Sequence, residues 1–162
     1  MVGKCQTPYV HRTPVIRIEP IPTEQLIEPT GPRVPFGSQL TNRMFAQSYT
    51  GGAWREGSIR RTEPISLSLG TNVFHYGQAV FEGLKASRRP DGDINLFRPE
   101  LNVRRFNRSA RRMAMPEVDE ALQMEALTRL LELEHGWVPS GDDESLYVRP
   151  LMIATEETFQ VA

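Results

Sequence analysis

The apolar patterning of this chain predicts an α+β fold, an antiparallel-rich sheet with two helices packed on one face. Three observations carry that expectation. Short alternating apolar runs fall between residues 44 and 97, separated by Gly- and Pro-containing turns. Two segments with helical periodicity follow, at residues 99–115 and 120–135. A last apolar run at 146–154 must return to the sheet.

The elements follow in order. Residues 1–40 hold seven prolines, which remove backbone donors and hold φ near −65°, so this stretch is expected to be a tail and an extended arm lying over the domain formed by residues 41–162. Residues 44–49 and 54–59 flank Thr50-Gly51-Gly52 and form a predicted hairpin. Ile65, Leu67 and Leu69 alternate with polar residues as a third, half-buried strand. Residues 81–88 and 94–97 flank Pro90-Asp91-Gly92-Asp93, a turn signal that predicts a second hairpin. Pro99 suits a first helical position and Glu100 complements the dipole there, with Pro116 beyond the helix end. Asp119 is the expected N-cap of the next helix, whose apolar face carries Leu122, Leu127, Leu130 and Leu131, and Gly136 is its expected C′ residue. Residues 146–154 read as a buried central strand.

Composition narrows the class. A chain of 162 residues with net charge −1 and 39% hydrophobic content is an ordinary globular composition. It has no apolar run of the ~18 residues a membrane helix requires and no apolar stretch near the N-terminus that reads as a secretory signal. The single cysteine, Cys5, cannot form an internal disulfide, and these features together predict a cytoplasmic protein. His11, His75 and His135 are scattered without metal-ligand spacing, so no metal site is expected. Only Lys4 and Lys85 are lysines among nineteen basic residues, and the rest are arginines, which favour bidentate recognition of carboxylate or phosphate.

Three segments carry candidate chemistry. Residues 72–85 gather Phe74, Tyr76 and Phe81 with a histidine, either a rigid apolar wall or core filling. On the first long helix Arg104, Arg108, Arg111 and Arg112 form a solvated face. Arg105 shares a face with Leu101 and Ser109, where a buried cation needs an anionic partner, either an internal acid or a bound phosphate. A nucleic-acid patch is disfavoured by the slightly acidic net charge and by the lack of interleaved aromatics. In the last strand Tyr147 and Arg149 point to one side, a pairing suited to a carboxylate or to one of the chain's own acids.

FHYGQAVFEGLKA at 74–86, LFRPELNVRRFNRSARRMAMP at 96–116, WVP at 137–139 and SLYVRP at 145–150, followed by ATE at 154–156, resemble the branched-chain amino acid aminotransferases in order and spacing. These are fold-type IV enzymes using pyridoxal 5′-phosphate, and the likeness covers residues 36–161. It implies that Arg105 binds the cofactor phosphate and that Phe81 walls the side-chain pocket. It implies that Tyr147 and Arg149 belong to that pocket, Arg149 receiving the acidic side chain of glutamate. Tyr76 and Val161 would reach the pocket of the other subunit of a homodimer, and Lys85 would be a basic position of the pocket region. It further implies exchange of amino groups between leucine, isoleucine or valine and 2-oxoglutarate, with no nucleic acid and no membrane as partner. The family's Schiff-base lysine lies downstream of the YVRP strand, so this chain is expected to be the small domain without a catalytic residue, inactive by itself. The alternatives are a non-catalytic interaction module that keeps the fold, or part of another fold-type IV enzyme such as a D-amino-acid aminotransferase or aminodeoxychorismate lyase.

Overall fold

The computed structural model describes residues 16–29, 35–141 and 143–159. In the arm, β1 (Arg17–Ile18) adds in parallel to the edge of β5 (Ser58–Arg61), which pairs antiparallel with β2 (Arg43–Ala46). A single 3-10 turn at Thr23–Gln25 follows β1. The arm is thus partly built into a sheet and does more than lie over it. Between β2 and β5, β3 (Tyr49–Thr50) and β4 (Ala53–Trp54) form the first predicted hairpin. Its two-residue turn has Gly51 at φ 60° and Gly52 at φ 77°, the left-handed pair that a type I′ connection needs.

The expected strand around Ile65 to Leu69 does not form. Residues 65–68 have no regular structure and no partner strand, Leu69 enters a turn, and Ile65 and Leu69 are exposed. Alternation supplies a face, but a strand also needs a free ladder edge. Next comes a short helix, α1 (Asn72–Tyr76), closed by Gly77 in the left-handed region.

The two remaining apolar runs are each broken in the middle. Residues 81–88 divide into β6 (Ala79–Phe81) and β7 (Leu84–Arg88), and residues 146–154 into β9 (Leu146–Val148) and β10 (Leu151–Ile153). β6 pairs antiparallel with β10, while β7 is the centre of a three-stranded sheet between β8 (Ile94–Leu96) and β9. The last run is therefore two short, partly buried strands rather than one central strand. Pro150 lacks a donor and marks one break, and Glu82-Gly83 marks the other. The second predicted hairpin, β7–β8 across Pro90 to Asp93, is present. Among the described residues, the expected single sheet is thus four small ones.

Helix α2 (Pro99–Arg112) packs Phe106 and Ala110 with Val80, Met115 and Val118. Helix α3 (Glu120–Leu133) starts where Asp119 Oδ1 accepts from Leu122 N at 2.8 Å, the predicted cap. Its Leu131 packs with Ala86 and Val138. Gly136 is not a left-handed C′ residue. A 3-10 turn at His135–Trp137 continues the chain, because Glu134 at the helix end is anchored elsewhere. After α2 it is Ala114, not a glycine, that takes φ 52°. An alanine there carries a steric cost of about 1 kcal/mol. Ala114→Gly is therefore expected to raise stability by about 0.5–1 kcal/mol, less any gain in unfolded-chain entropy. Urea denaturation at unchanged m-value measures it, and a loss of stability would contradict the assignment.

Candidate functional site

Three consecutive residues at the β6–β7 break each meet a different candidate residue. Phe81, ending β6, lies under the Arg149 guanidinium, 4.7 Å from carbon to ring centroid. The Glu82 carboxylate takes Arg105 side-on: Nε donates to Oε1 and Nη2 to Oε2, both at 2.6 Å. Gly83 passes against the Tyr147 phenol so closely that an added Cβ would sit 2.1 Å from its oxygen. The bend is pinned by Glu82 N donating to the Pro150 carbonyl at 3.0 Å.

Tyr147 and Arg149 come together as expected. Arg149 Nη2 donates to the Tyr147 hydroxyl at 3.2 Å, and its guanidinium lies 5.2 Å from the Tyr147 ring centroid. Phe36 also meets Tyr147 edge-on, with centroids 5.0 Å apart. Among the described residues, no carboxylate pairs with Arg149, which is exposed and free to receive an anion. Lys85 stands opposite Tyr147 in the β7–β9 register, exposed at the rim.

Arg105 departs from its expected setting. Its side chain is 51% exposed, whereas its partner Glu82 is 7% exposed. The buried member of the pair is the acid. Asn102, one turn earlier on α2, donates to Glu82 Oε2 and to the Gly83 carbonyl, each at 3.1 Å. Hydrogen bonds from Arg105, opposed by desolvation and helped by Asn102, hold the Glu82 carboxyl below the usual glutamate range, and Glu82 raises Arg105 in turn. The pair's stabilisation is therefore present above the ordinary glutamate pKa and is lost as pH falls below it. The internal acid left open by the sequence is thus Glu82. Periodicity on α2 alone gave no sign of it, because it lies on another element.

Tyr76 joins a second cluster. Its hydroxyl donates to the Phe159 carbonyl at 2.7 Å, and the His75 and Phe159 rings meet edge-on at 5.0 Å. Asn72 N and Val73 N bond the carbonyls of Glu156 and Ala154, so α1 is clasped to the exit segment. Among the described residues, no hydrogen bond or ring contact joins Tyr76 to Phe81, Tyr147 or Arg149. Val161 lies outside them. Among the described residues there is no group of three or more His, Cys, Asp or Glu able to hold a metal ion, and no helix is long and apolar enough to cross a membrane.

No family model matches the chain. Branched-chain-amino-acid transaminase 1 of Bacillus subtilis (strain 168) is 51% identical over 127 residues, 78% of this chain and 36% of that protein. This chain is related to the branched-chain aminotransferases. A probable branched-chain-amino-acid aminotransferase of Staphylococcus aureus (strain N315) is 43% identical over 130 residues, 80% of this chain and 36% of that protein. Branched-chain-amino-acid aminotransferase 2 of Bacillus subtilis is 38% identical over 148 residues, 91% of this chain and 40% of the relative. The chain thus spans about a third of the length of the branched-chain aminotransferases it matches, and the match fits their N-terminal part. Two solved structures share the fold. The branched-chain aminotransferase of Thermoproteus uzoniensis with norvaline has TM-score 0.54 at 19% identity, covering 74% of this chain and 36% of that one. A second branched-chain amino acid aminotransferase, complexed with N-(5′-phosphopyridoxyl)-L-glutamate, has TM-score 0.53 at 23% identity and the same coverage.

Proposed function

We propose that this chain supplies the phosphate-arginine, pocket-wall and carboxylate-receiving part of a branched-chain amino acid aminotransferase. In this reading residues 41–162 are its small domain and residues 1–40 its tail and arm. The whole enzyme is a cytoplasmic homodimer that exchanges amino groups between leucine, isoleucine or valine and 2-oxoglutarate. The observation that carries the reading is the β6–β7 bend, where Phe81 meets Arg149, which has no carboxylate partner among the described residues, Glu82 meets the half-exposed Arg105, and Gly83 meets Tyr147.

The residues present fit pyridoxal 5′-phosphate. Arg105 spends one edge on Glu82, and among the described residues its Nη1 has no partner. Arg105 also lines a shallow hollow with Leu101, Arg104, Arg108 and Arg111, a cationic setting for a phosphate. When bound, the cofactor would supply an electron sink for negative charge at the substrate Cα. The protein's own residues bind and orient the substrate. Arg149, oriented by the Phe81 and Tyr147 rings, receives a substrate carboxylate, with Lys85 adding positive charge at the rim. Phe81 excludes water from an apolar substrate side chain. Tyr76 and Val161 reach the pocket of the other subunit. Lys85, the lysine among the described residues, sits on a strand opposite a pocket tyrosine and is assigned no Schiff-base role.

A chimera tests the reading. Residues 36–161 replace the matching part of the Bacillus subtilis transaminase, and leucine-dependent glutamate formation from 2-oxoglutarate is followed. The chimera is expected to be active and the 162-residue polypeptide by itself to stay at background. Arg149→Leu in the chimera should raise KM for 2-oxoglutarate about 10–100-fold with a smaller change for leucine, the cost of losing a charge-assisted contact. A folded but inactive chimera would favour the interaction-module reading instead.

A further inference from the structure

A carboxylate as buried as Glu82 is ordinarily there to serve a buried cation, yet its partner is half-exposed. Both Glu82 oxygens are engaged by Arg105, and Oε2 takes a further bond from Asn102, which is itself tied to the Gly83 carbonyl. The guanidinium plane cannot turn about its side chain without breaking two 2.6 Å bonds. The outer nitrogen, Nη1, is left without a partner among the described residues, and Arg105 is one of the residues lining the arginine-rich hollow.

We infer that Glu82 is the positioning residue of the phosphate-binding arginine, and that Asn102 in turn holds Glu82. The inference rests on the reading of Arg105 as the phosphate ligand. Two effects of Glu82 oppose each other. Its negative charge weakens the attraction of Arg105 for an anion. Its fork removes the rotamer freedom of a long exposed side chain, a cost otherwise met on binding. Arg104 and Arg111 are shared with Glu120 and Glu117, but Arg108 has no acidic partner among the described residues, so the hollow stays cationic. Attraction is therefore supplied by several groups, whereas orientation of Arg105 depends on Glu82. The gain from ordering Arg105 outweighs the attraction lost.

The test uses the 162-residue chain with 4-deoxypyridoxine 5′-phosphate and its unphosphorylated parent, which lack the aldehyde and cannot react with lysines. Calorimetric titration of both ligands gives the preference for the phosphate. The wild type is expected to prefer the ester, and Arg105→Leu to lose that preference. Glu82→Gln, with its circular dichroism unchanged, is expected to reduce it about tenfold, the size expected for one disordered long side chain. The Arg105 Nε–H signal in NMR, slow-exchanging in the wild type, should vanish into fast exchange in this variant. Asn102→Ala should lower the preference several-fold and serves as the test if Glu82→Gln fails to fold. If a folded Glu82→Gln or Asn102→Ala keeps or increases the preference while Arg105→Leu abolishes it, the positioning role is wrong and the phosphate arginine stands. If the wild type has no preference, or Arg105→Leu retains it, both ideas fall.

Discussion

Glu134→Ala is expected to lower folding stability by about 3–5 kcal/mol, the usual cost of leaving one member of a buried ion pair without its partner. Glu134 closes α3, and its side chain is 2% exposed. A negative charge at a helix C-terminus faces the negative end of the dipole, so its position is unfavourable locally. The compensation is tertiary. Arg43 Nη1, on β2, donates to Oε1 at 2.7 Å, and the Asn42 backbone N donates to Oε2 at 3.0 Å. The Arg43 side chain is only 14% exposed and its Nε already lacks a partner, so removal of the acid strands a buried cation. Asn42 also holds the arm, its amide bonding Ile27 N at 2.8 Å and Ile27 O at 2.9 Å. Chemical denaturation measures the loss, and limited proteolysis within residues 16–29 should rise with it. The pair Arg43→Met with Glu134→Leu should recover most of the stability, because neither charge then remains. A single-variant cost under about 1 kcal/mol would show that the pair is solvated.

Gly83→Ala is expected to dislodge Tyr147 and with it the carboxylate site. The new Cβ would lie 2.1 Å from the phenol oxygen and 2.7 and 2.9 Å from ring carbons. Real contacts do not reach such distances, so the ring must swing away. It then forfeits the Arg149 bond at 3.2 Å and the edge contact with Phe36. Overpacking of this kind costs about 1–3 kcal/mol. The larger effect is on function, because Arg149 loses one of the two rings that orient it and the chimera's KM for 2-oxoglutarate should rise at least tenfold. Gly83→Ala in a Tyr147→Ala background should cost almost nothing further in stability. Additive losses in that double-mutant cycle would place the strain elsewhere.

The two long helices, the Asp119 cap and both hairpin turns were legible in the sequence, because each depends on residues within one or two turns of one another. So was the Tyr147–Arg149 pairing, since residues two apart along a strand share a side, and the contact forms although Arg149 lies just past the end of β9. Leu69 illustrates the limit, for its alternation with polar neighbours promised a strand and the structure left it almost fully exposed without a ladder partner.

What the sequence by itself determined, then, is which residue types stand ready: an arginine-rich helix, an aromatic loop, a tyrosine and an arginine two apart. What only the tertiary structure decided is that residues 81, 82 and 83 form the hinge at which they meet. Phe81 reaches Arg149 at a separation of 68 positions, and Glu82 reaches Arg105 at 23. Local propensity and periodicity act over a helical turn or a strand. Pairings across such separations are set by which sheet edges and helix faces the packed core leaves opposite one another.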